Sequence, residues 1–131
     1  MRDYQRKKNN KYILPTAVYH RTIWTIRDYY RLAAEANELI TASPQPQDGM
    51  PKGSDVGSPV ESKVLARERL MREVNAIDDG LKVIPTEYRH AIWGNIQFGT
   101  RFPNDAGRAT YGRWKAKYLY EVARRLKFID E

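Results

Sequence analysis

The C-terminal part of the chain holds Arg108, Thr110, Arg113, Lys117, Tyr120 and Arg124, whose types and spacing suit the binding of a polyanion. Arg113 and Lys117 stand four positions apart, so on a helix they project from one face, and Tyr120 and Arg124 continue it. Arginine and lysine reach phosphates or base edges, while a small polar residue such as Thr110 lets the start of a helix come close to them. A short helix, a turn containing Gly107 and a longer basic helix form the layout of a helix-turn-helix, whose second helix enters the major groove. Arg6, Lys7 and Lys8 form a second basic cluster at the other end of the chain, suited to phosphate or minor-groove contacts. Double-stranded DNA is the partner these residues lead us to expect.

Catalytic and metal chemistry find little support. The chain has no cysteine, which excludes disulfides, thiolate metal sites and a cysteine nucleophile. His20 and His90 lie far apart in sequence, and two isolated histidines are poor grounds for a metal site. Asp78 and Asp79 are neighbours, which on a helix point about 100° apart, and the end of a helix explains them. Glu61, Glu68, Glu73 and Glu87 are interspersed with Arg and Lys at helical ion-pair spacing. No glycine-rich phosphate loop or Ser/His/Asp arrangement occurs. We therefore expect neither enzyme activity nor a cofactor or metal.

Charge narrows the partner. Of 131 residues, 23 are Lys or Arg and 16 are Asp or Glu, a formal net charge of +7. Residues 1–11 carry +4, residues 12–85 carry −1 and residues 86–131 carry +4. Within 101–128, eight basic side chains face only Asp105 and Glu121. A net positive charge concentrated at the two ends favours nucleic acid. No run of 18 apolar residues exists, since Arg21 and Arg27 interrupt the best candidate. The chain reads as soluble and cytoplasmic, without a membrane partner.

The elements that position these residues read as all-α, in a single helical domain over 1–131. After a basic arm at 1–13, the spacing predicts a first long helix over 14–41, with Tyr19, Ile23, Ile26, Tyr30, Ala33 and Ile40 on its apolar stripe. Residues 42–58 are a Pro/Gly-rich connection. A second long helix follows over 59–84, opened by a capping box of Ser58, Pro59 and Glu61 and striped by Val60, Val64, Met71, Val74, Ile77 and Leu81. These two would form an antiparallel hairpin. Residues 85–131 are expected to hold a three-helix, helix-turn-helix-like unit. Its members are a helix over 86–98 marked by Tyr88, Ile92 and Ile96 and closed by Gly99, a short helix at Phe102–Ala106, and a final helix from about Thr110 with Tyr111, Trp114, Tyr118, Val122, Leu126 and Ile129 on its apolar side.

Several of these segments resemble a known family. Ser43-Pro44-Gln45-Pro46 and the run Val56-Gly57-Ser58-Pro59-Val60-Glu61-Ser62-Lys63 are similar to the signature between the first two helices of the RinA-like phage regulators, which are related to the ArpU type. Ala76-Ile77-Asp78, Leu81 and Ile84-Pro85 resemble the segment ahead of that family's DNA-binding part. Thr110-Tyr111, Arg113-Trp114-Lys115 and Val122-Ala123 with Leu126 resemble its recognition helix, although the preceding helix is shorter here and contains Pro103. The resemblance implies a sigma-factor region-four-like helix-turn-helix and a transcriptional activator of late phage genes. Thr110, Arg113 and Lys117 would face the groove, and host RNA polymerase and a second copy of the chain become further expected partners. Two alternatives stay open: a DNA-packaging or assembly protein such as a small terminase subunit, and a helical protein-interaction module without DNA binding.

Overall fold

The computed structural model describes residues 5, 10–41, 59–105 and 107–130. Among these residues every regular element is helical and there is no strand. The order is α1 (Thr16–Arg27), α2 (Tyr29–Thr41), α3 (Pro59–Gly80), a 3-10 turn (Leu81–Val83), α4 (Thr86–Phe98) and α5 (Arg108–Arg125). The 42–58 connection and its capping serine lie outside the described residues, as do Arg6, Lys7 and Lys8.

The expected single helix over 14–41 is two helices. Asp28 closes α1 with φ −83° and ψ 2°, and its carboxylate accepts two hydrogen bonds from the Arg31 guanidinium, at 2.7 and 2.6 Å. That fork favours the charged carboxylate and holds Asp28 below the usual aspartate range. The break lets the two halves serve different partners. In α1, Tyr19, Ile23 and Ile26 are buried, whereas in α2 the buried positions are Leu32 and Ala36. Tyr30, expected on the stripe, is 56% exposed.

α2 runs antiparallel to α3. Tyr29 Oη donates to Asp78 Oδ1 at 2.9 Å at one end, while Glu35, Glu38 and Leu39 face Ala66, Arg69 and Leu70 at the other. Among the described residues, α3 reaches the main core only in its C-terminal half, through Ile77; Val64 and Leu65 are exposed. The helix ends at Gly80, and residues 81–83 form the 3-10 turn in place of the helix expected to 84.

α5 is the axis of the core. It packs against α1, α3, the 3-10 turn and α4, with Tyr111, Tyr118, Leu119, Val122 and Ala123 buried. Burying a large apolar side chain stabilises by about 1.5–3 kcal/mol, so this one face anchors much of the fold. Tyr118 Oη donates to the Ile77 carbonyl at 3.0 Å, which ties α5 to α3. α1 and α4 exchange side-chain bonds to each other's carbonyls: Gln97 Nε2 donates to Ile26 O at 2.6 Å and Arg27 Nε to Ile96 O at 2.9 Å. These bonds satisfy carbonyls near two helix ends, where intrahelical partners run out.

The C-terminal part departs from the expected three-helix unit, because the described residues 101–105 are not helical. Pro103 disfavours the helical region for Phe102, and Phe102 instead stacks on Tyr111 with ring centroids 4.9 Å apart and planes 11° apart. Asp105 accepts a 2.5 Å hydrogen bond from the Tyr111 hydroxyl. The connection between α4 and α5 is thus pinned to the core by aromatic contact. Gly99 closes α4 in the left-handed region at φ 73°, as its place in the sequence suggests. α5 stops at Arg125, short of Ile129: Lys127 adopts φ 63°, Phe128 N donates to Ala123 O at 2.8 Å and Lys127 N to Arg124 O at 3.1 Å. That is a Schellman motif with lysine in the position usually taken by glycine.

Candidate nucleic-acid interface

With one side of α5 committed to the core, its opposite side determines what the helix can present. Thr110, Arg113, Lys117, Tyr120 and Arg124 fall within about 80° of one another around the helix axis at 3.6 residues per turn. The structure brings these five to the outward side, with Arg113 and Arg124 exposed and the other three half-buried. Arg108 is about 140° from Arg113 around the same axis and belongs to another surface, where it lines two clefts beside the α4–α5 connection.

The five do not share one environment. Glu121 accepts from Arg124 Nη2 at 2.6 Å and from Arg125 Nε at 2.7 Å. Those bonds, Arg124's first, hold the Glu121 carboxyl below the usual glutamate range despite its partial burial. Arg124 is therefore partly neutralised. Arg113 and Lys117 are paired with no carboxylate among the described residues; the Lys117 ammonium instead lies 5.4 Å from the Trp114 ring centroid. Trp114 is half-buried against the core, with this side open to the lysine.

The N-terminal segment crosses this face. Gln5 and Leu14 are joined by a pair of hydrogen bonds, Gln5 Nε2 to Leu14 O at 2.7 Å and Leu14 N to Gln5 Oε1 at 2.6 Å. Asn10 Oδ1 accepts from Tyr12 N at 2.8 Å. The Tyr12 ring then meets Tyr120 edge-on, centroids 5.4 Å apart. Tyr120, expected to extend the binding face, is covered by this contact, because a phenol ring on a half-apolar surface is better packed than solvated. Asn10, Lys11 and Tyr12 form, with Arg113, Trp114 and Lys117, a shallow cleft of about 250 Å³. It brings Lys11 to the same basic surface as Arg113 and Lys117.

Sequence reasoning omitted Lys11 and Tyr12 from the site, and also Arg101 and Lys115. Lys11 was legible only as the end of a charge run, and nothing in the spacing shows that residues 10–12 return to α5. Lys115 donates to Asn95 Oδ1 at 2.8 Å, bridging α5 and α4 from the flank that Arg108 occupies.

Among the described residues no group of three His, Asp or Glu side chains could hold a metal ion. His20 packs edge-on against Tyr19. No helix among the described residues is long and apolar enough to cross a membrane. No protein-family model, curated protein or solved structure matches the chain.

Proposed function

We propose that the chain is a DNA-binding regulator of transcription, of the phage late-gene activator type, which grips duplex DNA with the outward face of α5. The observation that carries this reading is the pairing of Arg113 with Lys117 one turn apart on an outward helix face, without a described carboxylate partner and beside Lys11. Helices α1, α3 and α4 hold the helix from behind, so its basic side needs no reordering to meet a phosphate backbone. Thr110 stands at the start of the same side, and Arg6, Lys7 and Lys8 add basic charge in the sequence between Gln5 and Lys11. Tyr120 and Arg124 contribute less, since one is covered by Tyr12 and the other shared with Glu121. The proposed binding surface is thus the first three turns of α5 together with Lys11.

Fluorescence anisotropy with a labelled random-sequence duplex tests this directly. Binding should weaken steeply with salt, with a log-log slope of about −0.9 for each phosphate neutralised. Lys117→Ala should reduce the slope by about 1 if it meets a phosphate, and Arg113→Ala should cost about 1–3 kcal/mol on a selected sequence if it reads a base. Binding that ignores salt and both substitutions would end the proposal. An assembly of many subunits in light scattering, with salt-sensitive but sequence-blind binding, would move the assignment to DNA packaging.

A further inference from the structure

We infer that the two clefts on the Arg108 flank of α5 form a site for a nucleotide unit, a base together with its phosphate. One cleft, of about 440 Å³, lies between the N-terminal segment, α1 and α5, with Tyr12, Tyr19 and Phe102 among its walls and Arg108 and Lys115 supplying its charge. The second, of about 710 Å³, adjoins the α4–α5 connection and adds Arg101, Asn95 and Asn104. Phe102 and Arg108 line both, so the two spaces meet at one aromatic ring and one guanidinium. Both volumes lie in the range of small-ligand sites.

The lining specifies the ligand class. Among the described residues, three cations and no carboxylate line the pair of clefts, and a concave surface of one sign concentrates anions. Guanidinium groups such as Arg101 and Arg108 match a phosphate's oxygens by paired N–H donors. On α5 the cleft floor includes Gly112 and Ala116, one helical turn apart. A hydrogen and a methyl group at these positions leave space beside Tyr12 and the face of Phe102 turned away from Tyr111, with the buried Tyr19 as backing, and an aromatic wall accepts any base through its π-face.

Selectivity for one base should be weak, because two of the three amides that line the site, Gln5 and Asn95, are already used, and Asn104 lines only the cleft beside the α4–α5 connection, away from Tyr12 and Tyr19. Both polar atoms of Gln5 bond to Leu14. Asn95 Nδ2 donates to Thr100 O at 2.8 Å while its Oδ1 accepts from Lys115. What remains is charge and stacking, which recognise a nucleotide without naming it. The same chemistry is offered by a free mononucleotide and by a nucleotide of a single strand.

Calorimetric titration of the full chain with AMP, adenosine, inorganic phosphate and a short single-stranded oligodeoxyadenylate separates these sources and tests the site. AMP should bind at least about tenfold more tightly than adenosine or phosphate alone, a difference of about 1.4 kcal/mol. Arg108→Ala should weaken AMP by a similar factor, and Ala116→Leu, which fills the cleft while keeping a good helix former, should abolish binding. Arg113→Ala, on the outward face, should leave it unchanged. An oligonucleotide that binds more tightly than AMP identifies a strand as the source, and one that binds no better identifies the free nucleotide. The inference is overturned if AMP gives no heat at about 10 mM, if phosphate alone binds as well as AMP, if Ala116→Leu binds normally, or if Arg113→Ala loses as much as Arg108→Ala. It does not rest on the duplex-binding proposal, which Arg113→Ala and Lys117→Ala test separately.

Discussion

Replacing Gly80 with alanine measures how closely α3 and α5 approach. A Cβ at Gly80 would stand 2.9 Å from Val122 Cγ2, 3.1 Å from Tyr118 Cε1 and 3.3 Å from Tyr118 Cδ1, where carbon atoms prefer about 3.5–4.0 Å. Neither neighbour yields easily. Val122 is fully buried and stiff at χ1, and Tyr118 is fully buried with its hydroxyl held by the Ile77 carbonyl. Overpacking of this kind costs about 1–3 kcal/mol. Helix propensity favours alanine by up to about 1 kcal/mol, less at the last residue of a helix, so the net loss should be about 1–2 kcal/mol. In a domain of this size that lowers Tm by about 3–8 °C, measurable by far-ultraviolet circular dichroism. Gly94→Ala is the internal comparison: its Cβ would meet only Thr100 atoms at 3.8 and 3.9 Å, so the same change in the middle of α4 should stabilise by about 0.5–1 kcal/mol. If the strain comes from Val122, adding Val122→Ala to Gly80→Ala should cost less than the sum of the single changes. A Gly80→Ala protein as stable as the parent would refute the α3–α5 packing argument.

Other expectations come from helix ends and from hydrogen-bonded acids. Lys127→Gly removes the left-handed strain at φ 63° and should raise stability by about 0.5–1 kcal/mol in urea melts. The hydrogen bond to Asp105, with burial, pushes the Tyr111 hydroxyl up to about 12, and burial with the Asp78 contact does the same for Tyr29, while burial raises Tyr118 as well. Because these folded-state values lie above the ordinary 10.0, the stability they confer is present below pH 10 and is lost as pH rises through about 12. Tyrosinate absorbance should therefore show late-titrating groups that appear together with alkaline unfolding, and Asp105→Asn should bring one forward. Glu121 has the opposite sign: held below its ordinary 4.5, it contributes above that pH and the contribution is lost as pH falls through the folded value. The parent protein should lose Tm below about pH 4.5 more steeply than Glu121→Gln, and parallel acid curves would remove Glu121 from the stability argument.

The helices were readable because their apolar spacing is strong: Tyr19, Ile23 and Ile26 in α1, Val74 and Ile77 in α3, Ile92 and Ile96 in α4, and Tyr111, Tyr118 and Val122 in α5 are all buried. The break at Asp28 was not readable, because Asp28 and Arg31 resemble any solvated helix pair until their fork is seen at a helix junction. Missing it moved Tyr30 onto the expected stripe in place of Leu32. Leu119 and Ala123 escaped for a related reason. A narrow stripe suits a helix with one neighbour, whereas α5 meets α1, α3 and α4 and needs a wider apolar arc. The helix expected at Phe102–Ala106 was a motif-based expectation that Pro103 already opposed.

The basic side of α5 was legible as a set of positions, yet its grouping depends on a chain segment that periodicity does not describe. Residues 10–14 have no helical repeat, and Tyr12 acts through long-range contact with Tyr120 and the Gln5–Leu14 bonds. That segment divides the positive charge of the helix in two. On one side Lys11 joins Arg113 and Lys117 along a cleft of about 250 Å³ on the outward surface; on the other, Tyr12 joins Arg108 and Lys115 in a larger cleft of about 440 Å³. Tyr12 borders both, so Tyr12→Ala is expected to perturb the two surfaces together, whereas Arg113→Ala and Arg108→Ala each address one.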